Sequence, residues 1–536
     1  MIEKWNSNNF GIKKEIIAPV KILASKLVGN PEELLNAKEP CVAFSCNHCA
    51  HFNKGSWVLL DFGRELCGSV RIITRDISNL GGCANLRITF GESASEACSV
   101  IGEKNATNDH SPRDFTALVS PMSDLTFGLT GFRFVRIEML DDKPLLMQNI
   151  YAVNILPNLA REAVIKTSDR ALNKIINTAA YTLKLNFQNG YIWDGIKRDR
   201  LVWCGDLHQE VVTSLYLFGD TCNIPNSLDF LKNDDGEWIN GIPSYSAWWV
   251  INLCDYCTHL GKDDYFAQNR EHAEKIMAHF DECIDEDGTM RFGEGGLAFF
   301  IDWPTLSNKS DDSMLGTAAI VMLAANKLLK LIDDQSCHNV LRKLSVHLNA
   351  ESTNKQTRAF QILAGRKADG NADFLDKNGA AGFSTFMAYY ILSAYARAGG
   401  DKALELIKQY FGGMLSRGAT TFWEDFNLEW LKGSSRIDCL PKRGQRDIHG
   451  DYGDFCYKGF RHSLCHGWSS GVLAFIIENI FGIQYEDGCR RIYISPSKDA
   501  LDFKLKLPLP QGWLRVTCKN GVTTASAPKG VTVIIE

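Results

Sequence analysis

The chain is organised around one charged stretch, Trp193-Asp-Gly-Ile-Lys-Arg-Asp-Arg-Leu-Val-Trp-Cys-Gly-Asp-Leu-His-Gln-Glu210. Carboxylates and cations alternate in it beside two tryptophans, and two glycines interrupt any regular element, so the pattern predicts a loop. A solvated helix face would repeat opposite charges four residues apart without tryptophan. Cations keep some of these carboxylates ionised, whereas burial beside indole rings raises the pKa of others. Glycoside hydrolysis requires that mixture, although the stretch alone indicates a structural ion-pair loop equally well.

Helical periodicity surrounds this stretch, from about Ser168 to residue 481. Ala171-Leu-Asn-Lys-Ile-Ile-Asn-Thr-Ala-Ala-Tyr-Thr-Leu-Lys-Leu185 has apolar residues at helical spacing, with Ser168 and Asp169 as candidate caps. Further helices are predicted around residues 206–219, 244–260, 263–284, 312–333, 335–349, 381–398, 401–416 and 464–481. Because many are apolar on more than one face, the pattern predicts a closed ring of helical hairpins, an (α/α)6 toroid, rather than a four-helix bundle.

Strand patterns flank the helices on both sides. Before residue 160, alternating apolar segments at 57–62, 68–73, 86–90 and 132–138 predict an antiparallel β-sandwich. After residue 486, segments at 490–495, 503–507 and 514–518 predict a small sheet, with a hairpin turn at Asn520-Gly521. We therefore expect three domains: a sandwich over 1–160, the catalytic ring over 161–485 and a β-domain over 486–536.

Composition excludes several classes of protein. The net charge is −5 and no basic stripe carries aromatic residues, which argues against nucleic-acid binding. No stretch approaches 18 uninterrupted apolar residues, and the polar start of the chain shows no secretory signal, so neither a membrane partner nor export is expected. The 17 scattered cysteines are typical of reduced thiols in a cytoplasmic protein.

One cysteine cluster could bind a metal ion. Cys46-Asn-His48-Cys49-Ala-His51 has the C-x-x-C spacing of a zinc clip. No second pair of ligands follows at the usual interval, so the spacing favours ordinary cysteines and histidines over a zinc site. No metal or organic cofactor is expected.

Two further stretches could carry chemistry. Gly418-Ala-Thr-Thr-Phe-Trp-Glu-Asp-Phe426 is a predicted loop that presents Glu424, and Ser463-Leu-Cys-His-Gly-Trp468 presents His466 at a helix start. Each has a structural alternative, an exposed loop or a helix-terminal histidine. An inverting glycosidase needs two carboxylates about 6.5–9.5 Å apart, which Glu424 and one carboxylate of the first stretch could supply. Trp303 and one of Trp248 or Trp249 could line the same pocket.

Together these motifs resemble the α-L-rhamnosidases of glycoside hydrolase family 78. The resemblance rests on Asp-Gly-x-x-Arg-Asp-Arg-x-x-Trp-x-Gly-Asp, Gly-Ala-Thr-Thr-x-Trp-Glu and Ser-Leu-x-His-x-Trp, in that order, and on the order of the three domains. It implies an inverting, exo-acting enzyme that releases terminal L-rhamnose from a small carbohydrate substrate. It makes Asp199 the general acid and Glu424 the base that activates water. The implied substrate-binding residues are Asp194, Arg198, Trp203, Asp206, Trp248 or Trp249, Trp303 and His466.

One position departs from the family pattern. Better-known members have glutamate where this chain has Asp199, which is shorter by one methylene, so Asp206 remains an alternative acid. A different glycosidase or a sugar lyase on the same ring is a rival interpretation. A carbohydrate-binding protein that has lost the acid is another, and it would bind rhamnose without hydrolysing any glycoside.

Overall fold

The computed structural model describes residues 11–36, 48–75, 82–233, 236–293, 296–304, 311–498 and 501–536. Within them lie an N-terminal β-sandwich, a ring of helices and small C-terminal sheets, as the sequence predicts. None of the helices in these ranges has the length and apolar character needed to cross a membrane.

The N-terminal domain is built from antiparallel strands. The strands are β1 Ile12–Ile17, β2 Lys21–Lys26, β3 Ala50–Phe52, β4 Trp57–Thr74, β5 Ala84–Gly91, β6 Asp114–Val119, β7 Asp124–Met139 and β8 Leu145–Pro157. Their order is β1-β8-β4-β7-β5-β6, with β2 paired to β4 and β3 to β8. β4 is long enough to contain two predicted strands, because its pairing with β7 shifts between Asp61 and Leu66 instead of ending.

Six of the described helices form the inner wall of the ring. Each packs on the next and the last returns to the first, in the order Cys204–Leu217, Pro243–Leu260, Asp312–Leu328, Lys355–Ala364, Ala388–Arg397 and Gly471–Phe475. Every residue of Cys204–Leu217 is buried, since an inner helix has neighbours on all sides. The (α/α)6 arrangement follows from these contacts.

The remaining helices of the ring form the outer layer, while a short helix, Ala94–Cys98, packs on the strands of the N-terminal domain. The outer helices are Arg170–Asn186, Asn223–Leu231, Asp263–Cys283, Gln335–Leu348, Ala372–Leu375 and Ala403–Ser416. The sequence pattern missed Asn223–Leu231 and Lys355–Ala364, which are short and lie next to polar loops. The helix predicted over 464–481 begins three residues late, as a 3-10 turn at Gly467–Ser470, and ends as a π-helical turn at Ile476–Ile480.

Strands close the chain. β9 Val164–Thr167 joins the sheet β16-β15-β14-β9, which contains β14 Phe503–Leu509, β15 Gly512–Lys519 and β16 Val522–Ser526. A second sheet contains β12 Ile483–Glu486, β13 Arg491–Ile494 and β17 Thr532–Ile535. The predicted Asn520-Gly521 turn connects β15 to β16, and both of its residues have positive φ angles of 50° and 77°. Two short strands, β10 Phe187–Gln188 and β11 Tyr191–Ile192, precede the charged stretch.

Candidate active site

Backbone hydrogen bonds tie the three motif loops together at one end of the ring. The amide of Gly467 donates to the carbonyl of Asp194 at 2.7 Å, and the amide of Glu424 donates to the carbonyl of Ser463 at 2.9 Å. The charged stretch is separated from the other two loops by more than two hundred residues along the chain, so their meeting is a result of ring closure. The charged stretch, the glutamate loop and the histidine loop form one site.

His466 lies at the centre of this site. Its Nε2 is 3.7 Å from Asp194 Oδ2, 3.8 Å from Asp206 Oδ1 and 3.8 Å from Glu424 Oε1. Asp206 belongs to the first turn of the helix Cys204–Leu217, where the helix dipole favours a negative charge. Three carboxylates therefore converge on one imidazole, an arrangement that offers several hydrogen-bond acceptors to a ring of hydroxyl groups.

Arg198 connects the two residues that the resemblance implies as acid and base. Its Nη1 donates to Asp199 Oδ1 at 2.9 Å, and its Nη2 contacts Glu424 Oε1. Because one guanidinium makes both contacts, the two carboxylates lie within the upper limit of roughly 9.5 Å for an inverting pair. The sequence could not fix this distance, which depends on two remote loops.

Burial perturbs the carboxylates of the site. It raises the pKa of Asp194 well above its usual range, and the charges of Asp199 and Asp206 add to the effect. It also raises the pKa of Asp206 well above the ordinary value, with a further contribution from Glu424. A carboxylate with a raised pKa keeps its proton to a higher pH, and a protonated carboxylate can donate a hydrogen bond to a sugar hydroxyl as well as accept one.

Glu424 and His466 differ in how their charge is balanced. Burial raises the pKa of Glu424, but Arg198 and the amide of Ser463, at 3.0 Å, oppose that rise. Burial, Arg198 and His462 lower the pKa of His466 well below its usual value, so its imidazole is neutral. Of the three carboxylates around His466, Glu424 is the one that Arg198 contacts directly.

Aromatic side chains extend from Asp206 towards Trp303. Tyr245 donates from its hydroxyl to Asp206 Oδ2 at 3.5 Å and packs against Trp203 with ring centroids 6.4 Å apart. Phe300 contacts both Tyr245 and Trp303, at 6.1 and 5.2 Å between centroids. Trp203 and Trp303 thus belong to one aromatic wall that also contains Tyr245 and Phe300, two residues that the sequence analysis did not select.

Trp248 and Trp249 lie in the hydrophobic core and not on this wall. Trp248 stacks on His208 at 4.9 Å, and the indole N–H of Trp249 donates to the carbonyl of Leu228 at 3.0 Å. Both are fully buried. Adjacent residues on this inner helix point to different sides, Trp248 to the ring interior and Trp249 to the outer layer. The expectation that one of them lines the pocket with Trp303 stays a prediction.

The β-sandwich supports the site from outside the ring. The ammonium of Lys197 lies 2.9 Å from Glu92 Oε2 and 3.2 Å from Glu96 Oε1, and the amide of Leu464 donates to Glu92 Oε2 at 2.6 Å. Burial raises the pKa of Glu92 to about 7, with Lys197 opposing. The sandwich therefore holds the loops of Arg198 and His466 in register.

Glu92 and Glu96 form, with His449, a group of possible metal ligands in the described part of the chain. Lys197 already supplies a positive charge against both carboxylates. The local sequence Ser93-Ala-Ser-Glu96 signals only a helix start, and Ser93 indeed caps that helix by accepting from the Glu96 amide. No local pattern could have shown that these acids contact the active-site loops.

A second acidic pair lies beside the site. Burial raises the pKa of Asp302 to about 6 and that of Asp425 to about 7, and the charge of Asp302 contributes to the latter. Ser384 donates to Asp302 Oδ2 at 2.5 Å, and the Asp425 amide donates to His462 Nε2 at 2.9 Å. Their positions directly before Trp303 and after Glu424 were the available sequence signal.

The possible zinc cluster is described only in part. Cys46 lies outside the described residues. His48 Nδ1 is 3.3 Å from Glu33 Oε1, Cys49 is buried and His51 is exposed in β3. The cluster stays a prediction.

Comparisons with known proteins agree with these features. Residues 160–260 match the family model of the bacterial α-L-rhamnosidase six-hairpin glycosidase domain. No match to the sequence was found among curated proteins. The resemblance drawn from the motifs is thus confirmed for the part of the ring that contains the charged stretch.

Solved structures share the fold. A family 78 rhamnosidase of Bacillus sp. GL1 superposes with a TM-score of 0.70 at 17% identity, covering 94% of this chain and 55% of that one. A rhamnosidase from Klebsiella oxytoca with rhamnose bound superposes with a TM-score of 0.68 at 18% identity, covering 90% of this chain and 98% of that one. An α-L-rhamnosidase from Streptomyces avermitilis complexed with L-rhamnose gives 0.67 at 14%, covering 98% and 50%. The chain spans about half the length of the Bacillus and Streptomyces proteins.

Proposed function

We propose that the protein is an inverting, exo-acting glycoside hydrolase that releases terminal α-L-rhamnose. The observation that carries the proposal is the contact of one guanidinium, Arg198, with both Asp199 and Glu424. An acid and a base so placed can act on opposite sides of one anomeric carbon. The family match of residues 160–260 supports rhamnose as the sugar.

Each residue takes a defined role in this mechanism. Asp199 donates a proton to the glycosidic oxygen as the bond to C1 breaks. Glu424 accepts a proton from the water that attacks C1 from the other side, which inverts the configuration. Asp194, Asp206 and His466 bind the sugar hydroxyls, and their hydrogen bonds help to hold the ring distorted.

Exo action is supported by the enclosure of the site. Asp194, Asp206, Glu424 and His466 are all buried, and they converge within one cluster. A cluster of this kind accommodates the end of a sugar chain more readily than its middle. Trp203 and Trp303 then offer apolar surface to the sugar ring.

The site residues supply the required chemistry themselves, so we propose no cofactor. Buried thiols such as Cys67, Cys204 and Cys465 form no disulfides, which supports a reducing, cytoplasmic environment. We propose a small carbohydrate as the substrate, with no nucleic-acid or membrane partner.

A panel of aryl glycosides tests this function. The purified protein is assayed on 4-nitrophenyl α-L-rhamnoside and on the corresponding α-L-fucoside, β-D-glucoside, β-D-galactoside and β-D-glucuronide. We expect turnover of the rhamnoside, with β-L-rhamnose as the first product in the ¹H NMR spectrum. Preferential cleavage of another glycoside would refute the substrate, and α-L-rhamnose as first product would refute inversion. Binding of rhamnose without hydrolysis would identify a carbohydrate-binding protein.

A further inference from the structure

The acid position is contacted by a residue of the β-sandwich. His110 lies on the loop before β6, and its Nδ1 is 3.3 Å from Asp199 Oδ1. Its Nε2 is 3.6 Å from Asp109 Oδ2, and Asp109 in turn accepts from Arg461 Nε at 3.1 Å. The imidazole is therefore held between two carboxylates, one of which is the proposed acid.

The backbone at this contact adopts an uncommon conformation on both sides. His110 has a φ of 67° and Asp199 a φ of 55°, in the left-handed region that residues other than glycine rarely occupy. Such conformations persist where the surrounding structure fixes them, often at functional sites. Here the two conformations bring the side chain of His110, on a loop of the sandwich, into contact with the side chain of Asp199, on a loop of the ring.

Exposure separates this pair from the rest of the site. The side chains of Asp194, Asp206, Glu424 and His466 are 2–5% exposed, whereas Asp199 is 18% and His110 is 28% exposed. Among these groups, solvent reaches the acid and its histidine partner. A proton that enters from solvent can reach Asp199 through His110.

The other groups that face Asp199 do not offer that route. Arg198 donates to its carboxylate and keeps its own proton, while Asp194, Asp206 and Glu424 are buried. The remaining neighbour is the thiol of Cys456, whose pKa burial raises to about 12. His110 is thus the neighbour of Asp199 that combines exposure to solvent with ring nitrogens that can accept and donate a proton.

We propose that His110 is a positioning residue that holds Asp199 in place and returns its proton after each turnover. The inference rests on the proposed hydrolase function, because it assigns a role within that same site. It also explains why the sandwich must pack on the ring: the acid on the ring is completed by a side chain from the neighbouring domain.

The proton steps balance over one cycle. Protonated His110 transfers the proton on Nδ1 to Asp199 Oδ1, and Asp199 transfers its proton to the glycosidic oxygen as the C1–O bond breaks. Water forms the new bond to C1 and loses a proton to Glu424. Glu424 then releases that proton to solvent and His110 takes one up, so one water is consumed and no net proton.

Leaving-group dependence tests this role. A 2,4-dinitrophenyl α-L-rhamnoside departs with little need of an acid, whereas a 4-methoxyphenyl α-L-rhamnoside needs protonation. His110→Asn suits the experiment, since asparagine tolerates a positive φ and offers polar contacts but does not titrate. We expect kcat on the methoxyphenyl substrate to fall about 10–100-fold, part of the usual contribution of a general acid, and kcat on the dinitrophenyl substrate to change less than about twofold.

A second variant separates proton return from positioning. His110→Gly removes the side chain and accepts the positive φ without strain. We expect added imidazole buffer, at fixed pH and ionic strength, to restore part of its rate on the methoxyphenyl substrate and to leave wild type unchanged. His338→Asn is the matched control, because His338 forms an exposed pair with Asp333 at 2.8 Å on the outer layer. It should affect neither substrate.

The outcomes distinguish the two proposals. If wild type hydrolyses no rhamnoside, the proposed function fails. If wild type is active but His110→Asn lowers kcat by the same factor on both substrates, or changes kcat on neither substrate, the role of His110 is refuted. Absence of imidazole rescue in His110→Gly, with folding confirmed by an unchanged Tm, would refute proton return.

Discussion

Two buried polar clusters lie in the interior of the ring, and they differ in how the charge of a buried aspartate is balanced. Asp206 and His208 are two residues apart on one inner helix, yet Asp206 faces the site of Glu424 and His208 faces a cavity of about 500 Å³ further along the ring. In that cavity, Asp255 lies 3.0 Å from His208 Nε2 and also contacts the ammonium of Lys327. In the first cluster Arg198 contacts Glu424 and Asp199, while Asp206 lies beside other carboxylates. In the second cluster Asp255 is paired directly with a lysine ammonium.

The pKa values record this difference. Burial raises the pKa of Asp206 well above its usual range. Burial acts in the same direction on Asp255, but Lys327 and His208 outweigh it and hold the pKa of Asp255 below its ordinary value. Burial of an aspartate is therefore common to both clusters. They differ because Lys327 contacts Asp255 directly, whereas Arg198 contacts Asp199 and Glu424 and does not offset the effect of burial on the pKa of Asp206.

The largest expected effect comes from removing the base. Glu424→Gln should lower kcat on an aryl α-L-rhamnoside by about 10²–10⁴-fold, because no other group then accepts a proton from water. Glu478→Gln is the matched control, since Glu478 is a partly buried glutamate of the other cluster. It should leave kcat within about twofold. Equal losses in both variants would erase the distinction between the clusters.

Removing the acid should give a loss that depends on the leaving group. Asp199→Asn should reduce kcat about 10²–10⁴-fold on a poor leaving group and much less on the dinitrophenyl substrate. Asp206→Asn should instead lower kcat/KM by a similar factor for both substrates. The loss should be equivalent to roughly 1.5–3 kcal/mol, as expected when a hydrogen bond to a charged group is removed. The reverse pattern, measured by steady-state kinetics, would make Asp206 the acid.

Breaking the paired cluster should affect stability and not catalysis. Lys327→Met leaves Asp255 without its ammonium partner, and we expect the free energy of unfolding to fall by roughly 1–3 kcal/mol, allowing for partial exposure of the pair. Adding Asp255→Asn should recover part of the loss in a double-mutant cycle measured by urea unfolding. A loss of kcat per folded molecule would show that the clusters are coupled.

The smallest effect is a pH dependence from Glu478. Burial raises its pKa from 4.5 to about 7, opposed by the hydroxyls of Tyr389 and Tyr216. Between these values the folded state binds more protons than the unfolded state, so stability contributed by this group falls as pH rises from about 4.5 to 7. Relative to Glu478→Gln, wild type should lose roughly 1–2 kcal/mol between pH 5 and pH 8. A gain of stability over that interval would contradict the assignment.

Local sequence patterns succeeded where one segment decides its own structure. The Asn520-Gly521 turn and the caps of the helix Arg170–Asn186 follow from side-chain chemistry within a few residues, and Asp169 does accept from the amides of Ala171 and Leu172. Strand alternation located β4, β5 and β7 for the same reason. The charged stretch Trp193–Glu210 was found because it concentrates charged residues around two glycines.

Local patterns failed where a distant segment decides. The helix expected from residue 464 starts at Gly467 because the backbone of Ser463 and His466 bonds to the glutamate loop instead of to its own next turn. Trp248 and Trp249 were both offered for the pocket because the sequence does not show which side of their helix faces the ring interior, a choice that depends on the neighbouring helices. Asp302 and Asp425 were missed because their only local signal, a position next to Trp303 or Glu424, does not show how deeply they are buried. Tyr245 was missed because a single tyrosine on a helix carries no local signal.

The sequence by itself determined the order of the strand and helix regions and the helical ring, since spacing, turns and motifs are properties of neighbouring residues. Its motifs also singled out Asp199, Glu424 and His466, whose roles stay predictions. The tertiary structure alone decided which charges meet. Arg198 contacts Glu424, Lys197 contacts Glu92, and His110 contacts Asp199. The two residues of each pair lie about ninety residues or more apart along the chain. Electrostatic energy depends on distance in space and on burial, and neither can be measured along the chain.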